Sequence, residues 1–159
     1  MVFGMSLYAF TVLHVVISLL GITAGFFVFW SMVVGIRLPW QNASFLWWTT
    51  LTSLTGFGFP FVKFTPAYVF GVVSLLALGI ATWALYSAKL QGRARGAFVI
   101  SALLAQYLNV VVLVVQSFQK IPALHAIGPT DGSPAVGVSQ TIVLAGFVFF
   151  GLKAFKNFK

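Results

Sequence analysis

A handful of side chains carry almost all the chemistry this chain can offer: His14, Ser18, Gln106, Asn109, Gln116, Lys120 and His125. Five of them interrupt one apolar run, "LLAQYLNVVVLVVQSFQKIPALH", from Leu103 to His125. At the roughly 100° per residue of an α-helix, Gln106, Asn109, Leu113, Gln116 and Lys120 share about one quarter of the circumference, with Ser117 at its border. A stripe of groups this costly to desolvate faces protein or water rather than acyl chains. Imidazole and carboxamide groups together can accept and donate hydrogen bonds, and imidazole can ligate iron.

Three uses of these groups follow. His14 and His125 can serve as the two axial ligands of a haem b, provided the segment bearing His125 re-enters the membrane. An imidazole and an amide can instead hold the carbonyls of a quinone among aromatic rings. The polar face can also line the path of a transporter or channel. Against all three stands a structural use, in which Asn, Gln and His hold helices together and Lys120 snorkels to the headgroups.

Other chemistry is excluded. Asp131 is the only acidic residue, so neither a pair of catalytic carboxylates nor a di-iron carboxylate centre can be assembled. With no cysteine there is no thiolate metal site, iron–sulfur cluster or disulfide. "GFGF" at Gly56 to Phe59 lacks the spacing and the lysine of a phosphate-cradling loop. No catalytic residue is assigned, and no metal site beyond the haem ligands already named.

The elements that must position these groups are set by the solvent. Of the 159 residues 60% are hydrophobic and only 6% charged, and the mean hydropathy is +1.05. A soluble domain keeps about a quarter of its residues charged, so this chain's solvent is mostly lipid. Five apolar runs are long enough to cross a bilayer as helices, each needing roughly 20 residues. They cover about 7–36, 43–61, 66–89, 94–120 and 136–155, with a proline-rich connector at 121–135. The expected fold is a single all-α domain, a five-transmembrane-helix bundle. The first run lacks a basic flank and is too long for a signal peptide, so it reads as the first span of the mature chain.

Charge sets the expected orientation. The net charge is +8, and in so apolar a chain the cations flank spans rather than meet nucleic acid. Arg37, Lys89, Arg93, Arg95, Lys153, Lys156 and Lys159 fall on one side of a five-span chain, and only Lys63 and Lys120 on the other. This places the N-terminus outside and the C-terminus in the cytoplasm. Trp30, Trp40, Trp47, Trp48 and Trp83 all fall toward the cytoplasmic ends, as expected of indoles at headgroup level. With that orientation, at 1.5 Å per residue, His14 lies about 12 Å below the outer surface, between Gln116 at about 6 Å and Asn109 at about 16 Å. If spans one and four are neighbours, imidazole and amides can meet.

Helices gain nothing hydrophobic by associating in lipid, so small residues mark where they touch. "GITAG" supplies Gly21 and Gly25, the second span supplies Gly56 beside Thr49, Thr52 and Ser53, and the third supplies Gly71 and Ser74.

The blocks "TGFGFPFVKFTPA", "YLNVVVLVVQSFQKIPAL" and "VSQTIVLAGFVFFGL" resemble those of a group of small bacterial multi-pass inner-membrane proteins without an assigned function. The resemblance implies a bacterial inner-membrane location and the same order of spans, and it carries over no catalytic residues. Together with the scarcity of water-facing polypeptide, these features lead to one expectation. The chain is a non-catalytic accessory or structural subunit, bedded in the lipid bilayer against a membrane-protein partner or further copies of itself.

Overall fold

The computed structural model describes residues 2–60 and 66–159. The expected end of the second run at Phe61, and the connector residues Lys63 and Phe64, lie outside the described residues. Six helices follow one another: α1 Leu7–Val34, α2 Pro39–Gly56, α3 Pro66–Thr82, α4 Arg93–Lys120, α5 Pro122–His125 and α6 Pro134–Asn157, with one π-helical turn at Trp83–Ser87 continuing α3. Four of these, α1, α3 with its π turn, α4 and α6, are long and apolar enough to cross a bilayer. The remaining long helix, α2, has only 18 residues, and Gln41, Asn42, Ser44 and several threonines lower its hydropathy.

Local chemistry explains the boundaries. Ser6 caps α1, its Oγ accepting from Ala9 N–H at 3.2 Å. Prolines open α2, α3, α5 and α6, where a missing N–H costs nothing and the fixed φ suits the first turn. The stretch "PWQN" at 39–42, which the expected bounds leave between the first two runs, therefore begins α2 rather than forming a turn. At the other end of α1, Gly35 turns left-handed at φ 78°. Its N–H donates to Met32 O and that of Ile36 to Ser31 O, which closes the helix in a Schellman motif.

Side-chain pairings give the helix directions. His14 meets Thr55 and Gly21 meets Thr49, so α1 and α2 run antiparallel. Gln140 reaches Val111 and Phe155 covers Gly96, so α4 and α6 are also antiparallel. Asn157 Nδ2 donates to Val33 O at 2.7 Å, and Arg37 Nε donates to Lys159 O at 3.0 Å, which sets α6 parallel to α1. The same contacts gather Arg37, Lys156 and Lys159 at one end of the bundle with the α3–α4 corner. Asp131 lies toward the other end.

The densest packing sits toward the basic end. Met32, Phe45, Ala81, Ala84, Phe98 and Phe158 are each no more than 1% exposed and belong to one cluster. The π turn feeds this cluster. Ala88 N–H reaches back five residues to Trp83 O, and Lys89 and Leu90 then turn left-handed, at φ 48° and 58°. Leu90 folds back so that its N–H meets Ala84 O and its side chain is buried. Two consecutive non-glycine residues at positive φ are unusual, and here the buried leucine offsets their cost.

At mid-height the bundle closes through glycines. A Cβ on Gly21 would stand 3.2 Å from both N and Oγ1 of Thr49, so α1 and α2 meet almost backbone to backbone. A Cβ on Gly25 would overlap the carboxamide of Gln106 on α4. That carboxamide donates from Nε2 to Ile22 O at 2.9 Å and is only 1% exposed. Gly21 and Gly25 are thus used within the chain, one against each neighbour. Gly25→Ala is expected to destabilise the bundle by about 1–3 kcal/mol through overpacking. Adding Gln106→Ala should recover most of that loss, less the smaller worth of one interhelical hydrogen bond, about 0.6 kcal/mol. Unfolding midpoints of the two single variants and the double variant in one detergent check this coupling.

Candidate functional site

The polar groups singled out in the sequence do not form one cluster; they divide along the height of the bundle. Gln106 is wholly internal and engaged with α1. One turn further along α4, Asn109 is half-buried, and its Nδ2 is enclosed without a hydrogen-bond partner among the described residues. Gln116 and Lys120 are exposed. The stripe of α4 therefore begins in the bundle interior and emerges toward the end that bears Asp131.

His14 takes its partner from α2. Its Nδ1 lies 2.8 Å from Thr55 Oγ1, and its ring meets Phe59 edge-on, with centroids 5.1 Å apart. Thr55 Oγ1 is in turn 2.7 Å from Leu51 O. A hydroxyl has a single proton, and the carbonyl can only accept it. When Thr55 donates to Leu51 O it accepts from His14, and Nδ1 then carries the imidazole proton. This leaves Nε2 with its lone pair, and it has no hydrogen-bond partner among the described residues. Such an arrangement, with one ring nitrogen held by a protein acceptor and the other free, is what a ligating or hydrogen-bond-accepting histidine requires.

A row of aromatic rings leads away from that imidazole. Phe59 packs on Phe10 at 4.9 Å, and Phe10 on Phe3 at 5.9 Å. Gly56 leaves space beside the ring, since a Cβ there would lie 3.8 Å from His14 Cε1. On the next helix Gly71 receives the ring of Phe57, whose Cζ would be 2.9 Å from an added Cβ. The remaining expected residues stand apart. Ser18 spends its hydroxyl on His14 O at 2.7 Å. Ser74 is 2% exposed, and its Oγ lacks a partner among the described residues. His125 is exposed at the end of α5, which among the described residues packs against α4 alone of the helices. The structure thus brings neither His125 nor the exposed Gln116 and Lys120 into contact with the His14–Thr55 pair.

Several contributors escaped the sequence reading. Thr55 is the clearest. Counting equal distances from the Gly35–Leu38 corner along two antiparallel helices reaches Phe59, one turn beyond Thr55, so spacing alone did not single out the threonine. Gln140 donates from Nε2 to Val111 O at 3.0 Å, and its Oε1 is enclosed without a partner among the described residues. It announced itself only as a lone amide in the last apolar run. Gln119 donates to Asp131 at 2.7 Å and so ties the connector to α4. It lies off the polar stripe, and nothing in the helical spacing marked it.

The class that this fold and composition define is a helical integral membrane protein. Comparison of the chain with protein-family models, curated proteins and solved structures finds no match.

The His14 geometry has a spectroscopic signature. In protein labelled with ¹⁵N histidine, His14 is expected in its neutral form to bear the proton on Nδ1, with Nε2 showing the shift of an unprotonated nitrogen. Thr55→Val should abolish that preference and lower stability by about 1 kcal/mol, the net worth of one hydrogen bond. Equal populations of the two tautomers in the wild-type chain would contradict the assignment.

Proposed function

We propose that this protein is a non-catalytic subunit of a larger membrane assembly, crossing a bacterial inner membrane five times with its N-terminus outside. The observation that carries the subunit reading is the surface of α6. Of its 24 residues only Val136 and Ala154 are buried. Its outward face presents Gly137, Thr141 and Ala145 at four-residue spacing, continued by Val148 and Leu152, all of them exposed. Among the described residues, no atom outside its own turn of helix would lie within 4 Å of a Cβ added at Gly137. A face of small residues gains little against lipid but lets a second helix approach closely. A membrane-protein partner, or another copy of this chain, fits such a face.

The five-crossing reading rests on α2. At 1.5 Å per residue its 18 residues span about 27 Å, close to the hydrocarbon thickness. Three of its polar residues, Asn42, Thr49 and Ser53, turn inward and are buried. Trp40, Trp47, Leu54 and Phe57 are exposed. Packing of this kind lets a helix of modest hydropathy cross a membrane without presenting polar groups to lipid.

A second reading places a haem or quinone at His14, supported by the free Nε2 lone pair beside Phe59 and Phe10. It differs from the first by its optical signature. Protein purified from its native membrane would show a Soret band, or bound quinone on extraction, and His14→Ala would remove it. A colourless preparation that binds no quinone dismisses this reading.

Two measurements test the main proposal. In mild detergent the chain should elute with companion subunits or as an oligomer. Gly137→Leu with Ala145→Leu should release it while leaving its thermal stability within about 0.5 kcal/mol, as for other surface changes. A wild-type chain that always elutes alone and monodisperse counts against it. Because the chain has no cysteine, single cysteines report sidedness directly. Gly132→Cys should react with an impermeant maleimide from outside, and Gln91→Cys and Lys156→Cys only after the membrane is opened.

A further inference from the structure

Between α1 and α2 lies an open groove of about 500 Å³. Leu20, Thr23 and Phe27 line it from α1, and Gln41, Ser44 and Trp48 from α2. Along α1 its lining runs from Val16 to Phe27, about 16 Å at 1.5 Å per residue. The walls change character along that length. The mid-bundle end is built of Val16, Leu19 and Leu20, and the polar Gln41 and Ser44 lie in the first two turns of α2. Those turns sit beside Arg37, at the basic end of the bundle.

Arg37, two residues before α2, is held against the end of the chain that follows α6. Its Nε donates to Lys159 O at 3.0 Å, and its guanidinium lies 5.9 Å over the ring of Phe158. Its two terminal nitrogens make no other hydrogen bond among the described residues. A guanidinium already oriented in this way loses little freedom on receiving a phosphate. The first turn of α2 has no side-chain cap, and Pro39 has no N–H to offer. The backbone N–H groups of Trp40 and Gln41 therefore add positive potential at the same place.

We propose that this groove holds one acyl chain of an anionic phospholipid, with the phosphate at Arg37 and the first turn of α2. The occupant must be amphipathic, because the groove is apolar at mid-bundle and polar where it reaches the basic end. It must be anionic, because that end carries seven of the nine cations and the only acidic side chain, Asp131, lies in the α5–α6 connector. A partner helix would satisfy the apolar length but leave the charge unanswered. Trp40, the neighbour of Gln41 in the chain, is 85% exposed and suits an interfacial anchor. This site is separate from the outward face of α6, and either can fail without the other.

Native mass spectrometry of the full chain, reconstituted with equal phosphatidylglycerol and phosphatidylcholine, tests the proposal. One phosphatidylglycerol should remain bound under detergent conditions that strip phosphatidylcholine. Arg37→Gln should lower that preference about fivefold, the worth of one cation at a lipid surface. Thr23→Trp, which fills the groove from an exposed position, should reduce retention to the level of nonspecific lipid. Val72→Trp, on the exposed face of α3, should leave it unchanged. Should Thr23→Trp fail to fold, Ser44→Trp fills the groove from the opposite wall with the same expected loss. Equal retention of the two lipids overturns the proposal. So does phosphatidylglycerol binding that survives a folded groove-filled variant, or a protein chain recovered in the groove in place of lipid.

Discussion

The contact between Gln106 and the backbone of α1 is the constraint on which the arrangement of the helices turns. A carboxamide in the middle of a 28-residue apolar helix must find a partner inside the protein, because lipid offers none. It finds one in Ile22 O, and it reaches that carbonyl because Gly25 has no side chain to stand in the way. One turn earlier Gly21 admits Thr49 of α2 in the same manner. Two consecutive glycines of a single motif thus bind α1 to two different helices. The register of both contacts follows from the four-residue spacing of the glycines, which is one turn of helix.

From that centre the two ends of the bundle are built differently. The basic end is a dense hydrophobic corner. The left-handed turn at Lys89 and Leu90 buries a leucine, the Schellman turn at Gly35 receives Asn157, and Arg37 is tied to the last residue of the chain. The opposite end is aromatic, with Phe3, Phe10 and Phe59 in a row leading to the His14–Thr55 pair. The packed end fixes the helix positions, whereas at the aromatic end the imidazole Nε2 has no hydrogen-bond partner among the described residues.

Most helical hydroxyls in this protein satisfy themselves. Thr11, Ser18, Ser31, Thr52, Thr55, Ser101, Ser117, Ser139 and Thr141 all donate to a carbonyl three or four residues earlier. This makes a hydroxyl inexpensive in a membrane helix. Amides have no such recourse. Gln106, Gln140 and Asn157 each reach a carbonyl of another helix. These amides therefore carry much of the long-range specification of the fold, beside the threonines at the α1–α2 contact.

These distinctions mark what could be read from the amino acids alone. The apolar runs, their lengths to within a few residues, the asymmetric placement of Lys and Arg, and the single polar face of α4 were all legible. Each depends only on helical periodicity and on the cost of placing polar groups in lipid. The partners of the polar groups were not legible, because pairing depends on which helices are neighbours and at what height. His14 looked equally able to face the amides of α4; the antiparallel register of α1 and α2 gave it Thr55 instead. The stripe from Gln106 to Lys120 looked like one feature; the tertiary structure divided it, burying its start against Gly25 and leaving its end outside. Sequence by itself determined that these helices form and which of their faces are polar, since both are properties of a single helix in lipid. Only the tertiary structure decided which polar groups are engaged and which stay free, since that is settled by contacts between residues far apart in the chain.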